Sequence, residues 1–132
     1  MVANPKNKEI ICIHCGKGKV HDFRLWKRSR IHLDKEKEFL GDRGYQGIQK
    51  LHQKSRIPHK KRKKKELTVE QKKANRQLAR QRIVIEHIHR NLKIFRILSS
   101  RYRNRRRRFG LRLNLIAGIY NYELIHQQKE EF

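Results

Sequence analysis

Two carboxylates in this chain are spaced as ligands rather than as scattered surface charge. Asp42 follows the strand-like "EFL" and sits in the glycine-rich, aromatic turn "GDRGYQGI", Gly41 to Ile48. Glu86 stands in "RIVIEHIHRNLK", with Arg82 four residues before it, Arg90 four after and Lys93 seven after. On a helix these four side chains project from roughly one face. Read alone, Glu86 suits ordinary i,i+4 ion pairs, each stabilising a helix by about 0.3–0.5 kcal/mol. Read with Asp42, it suits metal-assisted phosphodiester chemistry, which needs acids held on a strand end and on a helix and ringed by bases. Carboxylate oxygens hold hard cations such as Mg2+, and such cations activate water and neutralise charge on a transferring phosphate. Arg43 beside Asp42, and Arg82, Arg90 and Lys93 around Glu86, are then expected to hold a phosphate backbone.

The composition points to the same kind of partner. Against 36 Lys and Arg stand 12 Asp and Glu, for a net charge of +24 and a pI of about 10.9. The commonest physical meaning of that imbalance is a nucleic acid, whose counterions are released on binding, so affinity should fall steeply with salt. The bases come in blocks. "KSRIPHKKRKKK" holds eight Lys or Arg in twelve residues, Lys60 and Lys61 among them, and seven Arg lie between Arg101 and Arg112, including Arg105 and Arg106. No amphipathic amino-terminal anchor is visible, which weakens a membrane-surface role. The longest apolar stretch, "LNLIAGIYNYELI", is too short and too interrupted to span a bilayer. No signal peptide precedes Val2, so a cytoplasmic location with reduced cysteines is expected. Those cysteines, Cys12 and Cys15 of "CIHC", look locally like half a zinc site. There is no second Cys pair, and in a strand Cys12 and His14 share one face while Cys15 points to the other, so buried or incidental thiols are favoured over metal.

The elements that must position the acids can be read in order. Length suggests a single domain. A short first strand from Met1, the turn "NPKNK" and a buried strand "EIICIHC" make a hairpin. "HDFRLWKRSR" reads as a short helix with Asp22 as N-cap and Phe23 and Trp26 on one face. "KEFLGD" is a brief strand ending at Asp42, and "YQGIQKLHQKS" a short helix or helical turn, so that residues 1–53 hold strands and short helices. Residues 54–67 read as a basic loop, because Pro58 excludes a regular helix. "TVEQ" is a capping box of Thr68 and Gln71, opening one long amphipathic helix from Val69 to Leu98 that carries Glu86. Residues 99–132 then give an Arg-rich turn and a last helix with Phe109, Leu113, Ile116, Tyr120 and Leu124 on one face. Leu115 and Ile119 make that helix apolar nearly all round, so it should be buried.

Several of these stretches carry a resemblance. "GDRGYQGI" is similar to the second-aspartate motif of bacterial insertion-sequence transposases of the Asp-Asp-Glu (DDE) superfamily. Arg82, Glu86 and Lys93 match their third-acid signature, with Ala79 where a Tyr often begins it. "GKGKVHDFRL", "IPHKK", "ELTVEQK", "LKIFRILSSRYRNRRRRFG" and "LNLIAGIYNYEL" resemble successive segments of insertion-sequence family five, over Asn4 to Leu124. The resemblance implies an α/β, ribonuclease H-like fold, a mixed central sheet flanked by helices, with three acids meeting at two Mg2+ or Mn2+ ions. It implies strand hydrolysis at a transposon end, followed by attack of the freed 3′-hydroxyl on target DNA without a covalent protein intermediate. Carried onto this chain, Asp42 is the second metal ligand and Glu86 the third, and Arg82 and Lys93 contact phosphate or orient Glu86.

The family's first Asp lies on the first strand of the sheet, well upstream of the second. Here only Asp22 and Asp34 precede Asp42: the first suits N-capping and the second lies in polar "HLDKEKE". The chain is therefore expected to be the carboxyl-terminal part of a catalytic domain, lacking the first strand. Its metal site should be weakened, and it should bind DNA, transposon ends and target, without cleaving it alone. An upstream transposase fragment or full-length transposase is the expected protein partner, and the bacterial cytoplasm and nucleoid the expected location. Two rivals stand beside this reading. One is a basic nucleic-acid-binding module in which both acids are incidental. The other is a fragment that inhibits full-length transposase through the last helix, at Leu113 or Ile116, or through an exposed sheet edge. His87 and His89, two apart on a helix, cannot face one metal together, and of Tyr102, Tyr120 and Tyr122 the second fits the core.

Overall fold

The computed structural model describes residues 1–16, 20–101 and 106–130. It is a mixed α/β arrangement in two compact units, one of Met1–Cys15 with Ile83–Phe132 and one of Gly16–Arg82. Among the described residues no helix is long and apolar enough to cross a membrane.

In the first unit, β1 (Val2–Ala3) pairs antiparallel with β2 (Ile10–Cys12), Val2 opposite Cys12 and Ala3 opposite Ile10. The turn between them closes through the Asn4 N–H donating to Glu9 O at 2.9 Å and the Lys8 N–H to Asn4 O at 2.9 Å. The hairpin is as expected, but its second strand is shorter and not buried on both faces. Ile10 is buried and Ile11 exposed, the alternation of a sheet packed on one side only. The buried face meets α4 (Phe109–Glu130), whose Ile116, Ala117 and Tyr120 form one core with Ile10, Ile88 and Leu92. Asn121 completes the junction: the Ile10 N–H donates to its Oδ1 and its Nδ2 donates to the Ile10 carbonyl, both at 2.9 Å. One side-chain amide thereby satisfies both backbone groups of a strand residue. Tyr120 belongs to this core, and its O–H donates to Lys8 O at 3.3 Å.

The long helix is shorter than the pattern predicts. α2 runs Val69–Leu92 rather than to Leu98, and a separate turn of helix, α3 (Arg96–Ser99), follows. The break has no Gly or Pro. The N–H groups of Ile94 and Phe95 bond three residues back at 3.2 Å, and Phe95 itself is extended. Packing accounts for it: Phe95, Ile97 and Leu98 all lie against the core, and residues two apart cannot share one face of a continuous helix. The last helix also departs from expectation. Leu113, Ile116 and Tyr120 are buried, but Leu115 and Ile119 are exposed, because α4 has a packing partner on one side only.

In the second unit, α1 (Asp22–Ser29) starts one residue earlier than expected, with His21 as N-cap and Asp22 in the first turn, where its negative charge complements the helix dipole. Phe23 and Trp26 stack at 6.2 Å on one face, as their spacing predicts. β3 (Phe39–Leu40) ends two residues before Asp42 and pairs in parallel with β4 (Ser55–Arg56), the Phe39 N–H donating to Lys54 O and the Gly41 N–H to Arg56 O. Two 3-10 turns, Arg43–Tyr45 and Ile48–Lys50, fill the crossover. β4 lies inside the stretch read as loop. Its two strand residues are too few to show a period, and it is fixed instead by buried Ser55, whose Oγ meets His52 Nδ1 at 2.9 Å. His52 Nε2 meets the Asp34 carbonyl at 3.0 Å, which can only accept, so the proton sits on Nε2 and Ser55 donates to Nδ1. The rest of the loop is clamped: the His59 N–H donates to Asn75 Oδ1 at 2.7 Å and Asn75 Nδ2 to His59 O at 3.1 Å. The capping box forms as read, with both Thr68–Gln71 bonds at 3.2 Å. The described strands form two separate two-stranded sheets rather than the single mixed sheet expected.

Candidate functional site

Asp42 stands at the carboxyl end of a parallel strand, the end at which open α/β sheets present their ligand groups. It is the N-cap residue of the Arg43–Tyr45 turn, yet its side chain makes no capping bond, which leaves the carboxylate free to point outward. Arg82 Nη2 of α2 lies 3.3 Å from Asp42 Oδ2, the acid side chain 53% exposed and the base 27%. At that exposure the pair stabilises the fold by no more than about 1 kcal/mol. Its consequence is placement: it ties the strand-end acid to the helix that carries the second signature.

The glycines of "GDRGYQGI" make this close packing possible. A Cβ on Gly44 would lie 2.7 Å from Asp22 Oδ2, so the turn can rest against the first turn of α1 only without a side chain there. Gly47 has φ +92°, a conformation that L side chains rarely adopt. Tyr45 packs edge-on to Phe39 at 5.8 Å and anchors the turn to the strand.

Glu86 is exposed on α2. The ion-pair reading of this residue fails: among the described residues no base lies within 4 Å of its carboxylate, and Arg82 turns to Asp42 instead. Asp42 belongs to the Gly16–Arg82 unit and Glu86 to the other. Among the described residues no three His, Cys, Asp or Glu side chains gather to hold one metal ion, and Cys12 and Cys15 are free thiols.

Of the expected phosphate-binding bases, Arg43, Lys60 and Arg90 are exposed. Lys61 is exposed too but bonds Glu66 at 2.9 Å. Lys93 lies one residue beyond α2 and is still hydrogen-bonded to His89 O at 3.1 Å, so the helix break leaves it next to the basic face. Arg105 lies outside the described residues, and of Arg106 only the backbone is described, at the start of a 3-10 turn. His87 and His89 are exposed. What sequence reasoning missed is the support: Asn75 holding the basic loop, Asn121 holding β2, and the His52–Ser55 pair under β4. Asn carries no periodic signal, since its role depends on which backbone it happens to meet.

Comparison with known proteins places these features in a family. A family model described as DDE superfamily endonuclease matches residues 1–121. A probable transposase for insertion sequence element IS702 of Microchaete diplosiphon is 57% identical over 124 residues, covering 94% of this chain and 45% of that protein. The chain therefore spans less than half the length of that relative. No solved structure matches.

Proposed function

This chain belongs to the DDE superfamily endonucleases, and we propose that it is the carboxyl-terminal part of the catalytic domain of an insertion-sequence transposase of family five, with a partial ribonuclease H-like fold. In this reading Asp42 and Glu86 are two of the three metal-binding carboxylates. Arg43, Arg82, Arg90, Lys93, Lys60, Lys61, Arg105 and Arg106 bind the backbones of transposon-end and target DNA. The observation that carries the reading is the Asp42–Arg82 pair, because it joins the motif on the strand end to the signature in which Glu86 follows four residues later.

The donor chemistry suits a hard divalent cation. Mg2+ is commonly held by one or two carboxylates together with substrate phosphate and water, and it activates water and neutralises charge on the phosphate. Asp42 and Glu86 are exposed oxygen donors of that kind. Mg2+ and Mn2+ both fit. The rest falls to the chain's own bases: Arg82 holds Asp42 while no cation is bound, and Arg90 and Lys93 neutralise the approaching strand. In this reading residues 1–132 hold two of the three acids, so by themselves they bind DNA in bacterial cytoplasm without cleaving it, the first acid being supplied by transposase sequence outside these residues. Mixing purified protein with supercoiled DNA and Mn2+ tests this. No nicking is expected from the chain alone, and nicking is expected when an upstream fragment of a family member is added. Nicking by residues 1–132 alone that Glu86→Ala abolishes would contradict the placing of the first acid outside these residues.

A further inference from the structure

The longest run of one charge in the sequence is folded rather than loose. Residues 60–65, "KKRKKK", are six consecutive bases, a composition whose self-repulsion favours an extended, solvated segment. Instead they close a four-residue turn: Arg62 and Lys65 form an antiparallel bridge, the Lys65 N–H donates to Arg62 O at 3.2 Å, and Lys63 and Lys64 lie between them. All six are exposed. Among the described residues only Lys61 of the six has an acid within 4 Å, Glu66 at 2.9 Å.

The turn is held at its base, by residues around Asp42 and by α2. Asp42 follows β3 and the basic run follows β4, and these strands are parallel neighbours, so both segments leave the pair at the same end. The Gly41 N–H donates to Arg56 O at 2.9 Å, and a Cβ on Gly41 would lie 3.0 Å from Ile57 Cγ2. Gln46, four residues after Asp42, donates through Nε2 to Pro58 O at 3.4 Å. Pro58 is buried, and its ring fixes φ. Asn75 then binds both backbone groups of His59, at 2.7 and 3.1 Å. These two bonds are solvent-exposed, so water would satisfy His59 as well; what the amide adds is position. Asn75 and Arg82 lie seven residues apart on α2, about two turns, so the face that hands Arg82 to Asp42 also hands Asn75 to His59. Acid, basic turn and helix are thereby tied in one closed ring within the Gly16–Arg82 unit.

We propose that Asn75 is a positioning residue that presets the Arg62–Lys65 turn as a clamp on the duplex backbone at a fixed offset from Asp42, which rests on the DNA-binding reading above. Like charges held together repel one another, and a phosphate strand laid across them relieves that repulsion with no loop left to order. Fluorescence anisotropy of the full chain with a short labelled duplex, from about 0.1 to about 0.4 M salt, tests it. Arg62→Ser, Lys63→Ser, Lys64→Ser and Lys65→Ser in one variant should lower the log–log salt slope by roughly two to four. Asn75→Ala removes no charge. It should leave the circular dichroism and the salt slope unchanged and weaken binding roughly five- to twenty-fold, because the loop must then be ordered on binding. Gln46→Ala, which frees the same loop from the acid turn instead of from α2, should weaken binding about two- to five-fold. Added to the four-serine variant, Asn75→Ala should cost less than about two-fold, which separates an effect through the turn from a general loss of structure. Binding indifferent to Asn75→Ala and Gln46→Ala, or an undiminished effect of Asn75→Ala once the turn is neutral, would overturn the positioning role. An unchanged salt slope in the four-serine variant would overturn the clamp. A wild type that does not bind the duplex at all would sink the DNA-binding reading and this inference with it.

Discussion

Gly47 holds φ +92° at the point where the turn after Asp42 enters its second 3-10 segment. Gly47→Ala should therefore lower stability by about 1 kcal/mol through backbone strain, read as a shift of the urea midpoint. Tyr120 gives a residue-scale test of burial. Desolvation pushes its phenol above the ordinary value of 10.0. The folded chain then holds that proton more tightly than the unfolded chain. Its contribution to stability is complete below about pH 10 and is lost as pH rises through the raised value. Absorbance at 295 nm should show a late-ionising tyrosine in the folded protein that Tyr120→Phe removes and that urea abolishes.

At the scale of elements, the same packing that was hidden from sequence reasoning supplies the clearest test. Asn121→Ala removes both partners of the Ile10 backbone. It should cost about 1–3 kcal/mol and loosen β2 from α4, seen as faster amide exchange at Ile10. The hairpin, α1, the capping box and the two main helices were legible because each has a local cause: a turn, a periodic face, or a Thr68–Gln71 pair three residues apart. The end of α2 at Leu92 was not legible, because no breaker residue marks it and only the competing burial of Phe95, Ile97 and Leu98 decides it. β4 was masked by the basic residues around it. Burial of α4 was overestimated since an all-round apolar helix says nothing about how many sides find a partner. Leu113 and Ile116, the contact residues of the inhibitory-fragment alternative, are buried, whereas Leu111 and Leu115 of that helix are exposed. Both acids were legible as motifs. The Asp42–Arg82 pair was not, because it joins positions forty residues apart.

For the whole molecule, a charge of +24 with exposed Arg43, Lys60 and Arg90 predicts DNA binding dominated by counterion release. Fluorescence anisotropy with a short duplex should show affinity falling linearly on a log–log salt plot. Lys60→Ala and Arg90→Ala should each reduce the slope by roughly one and weaken binding to all sequences alike. Metal binding is the sharper question, since charge alone explains DNA affinity but not the placement of two acids. Calorimetric titration of Mn2+ into the purified chain, with Asp42→Ala and Glu86→Ala alongside, tests the central claim most directly. Weak binding by the wild type that is lost in both variants is the predicted result. No binding by the wild type, or binding that neither substitution reduces, would contradict the assignment of Asp42 and Glu86 as metal ligands.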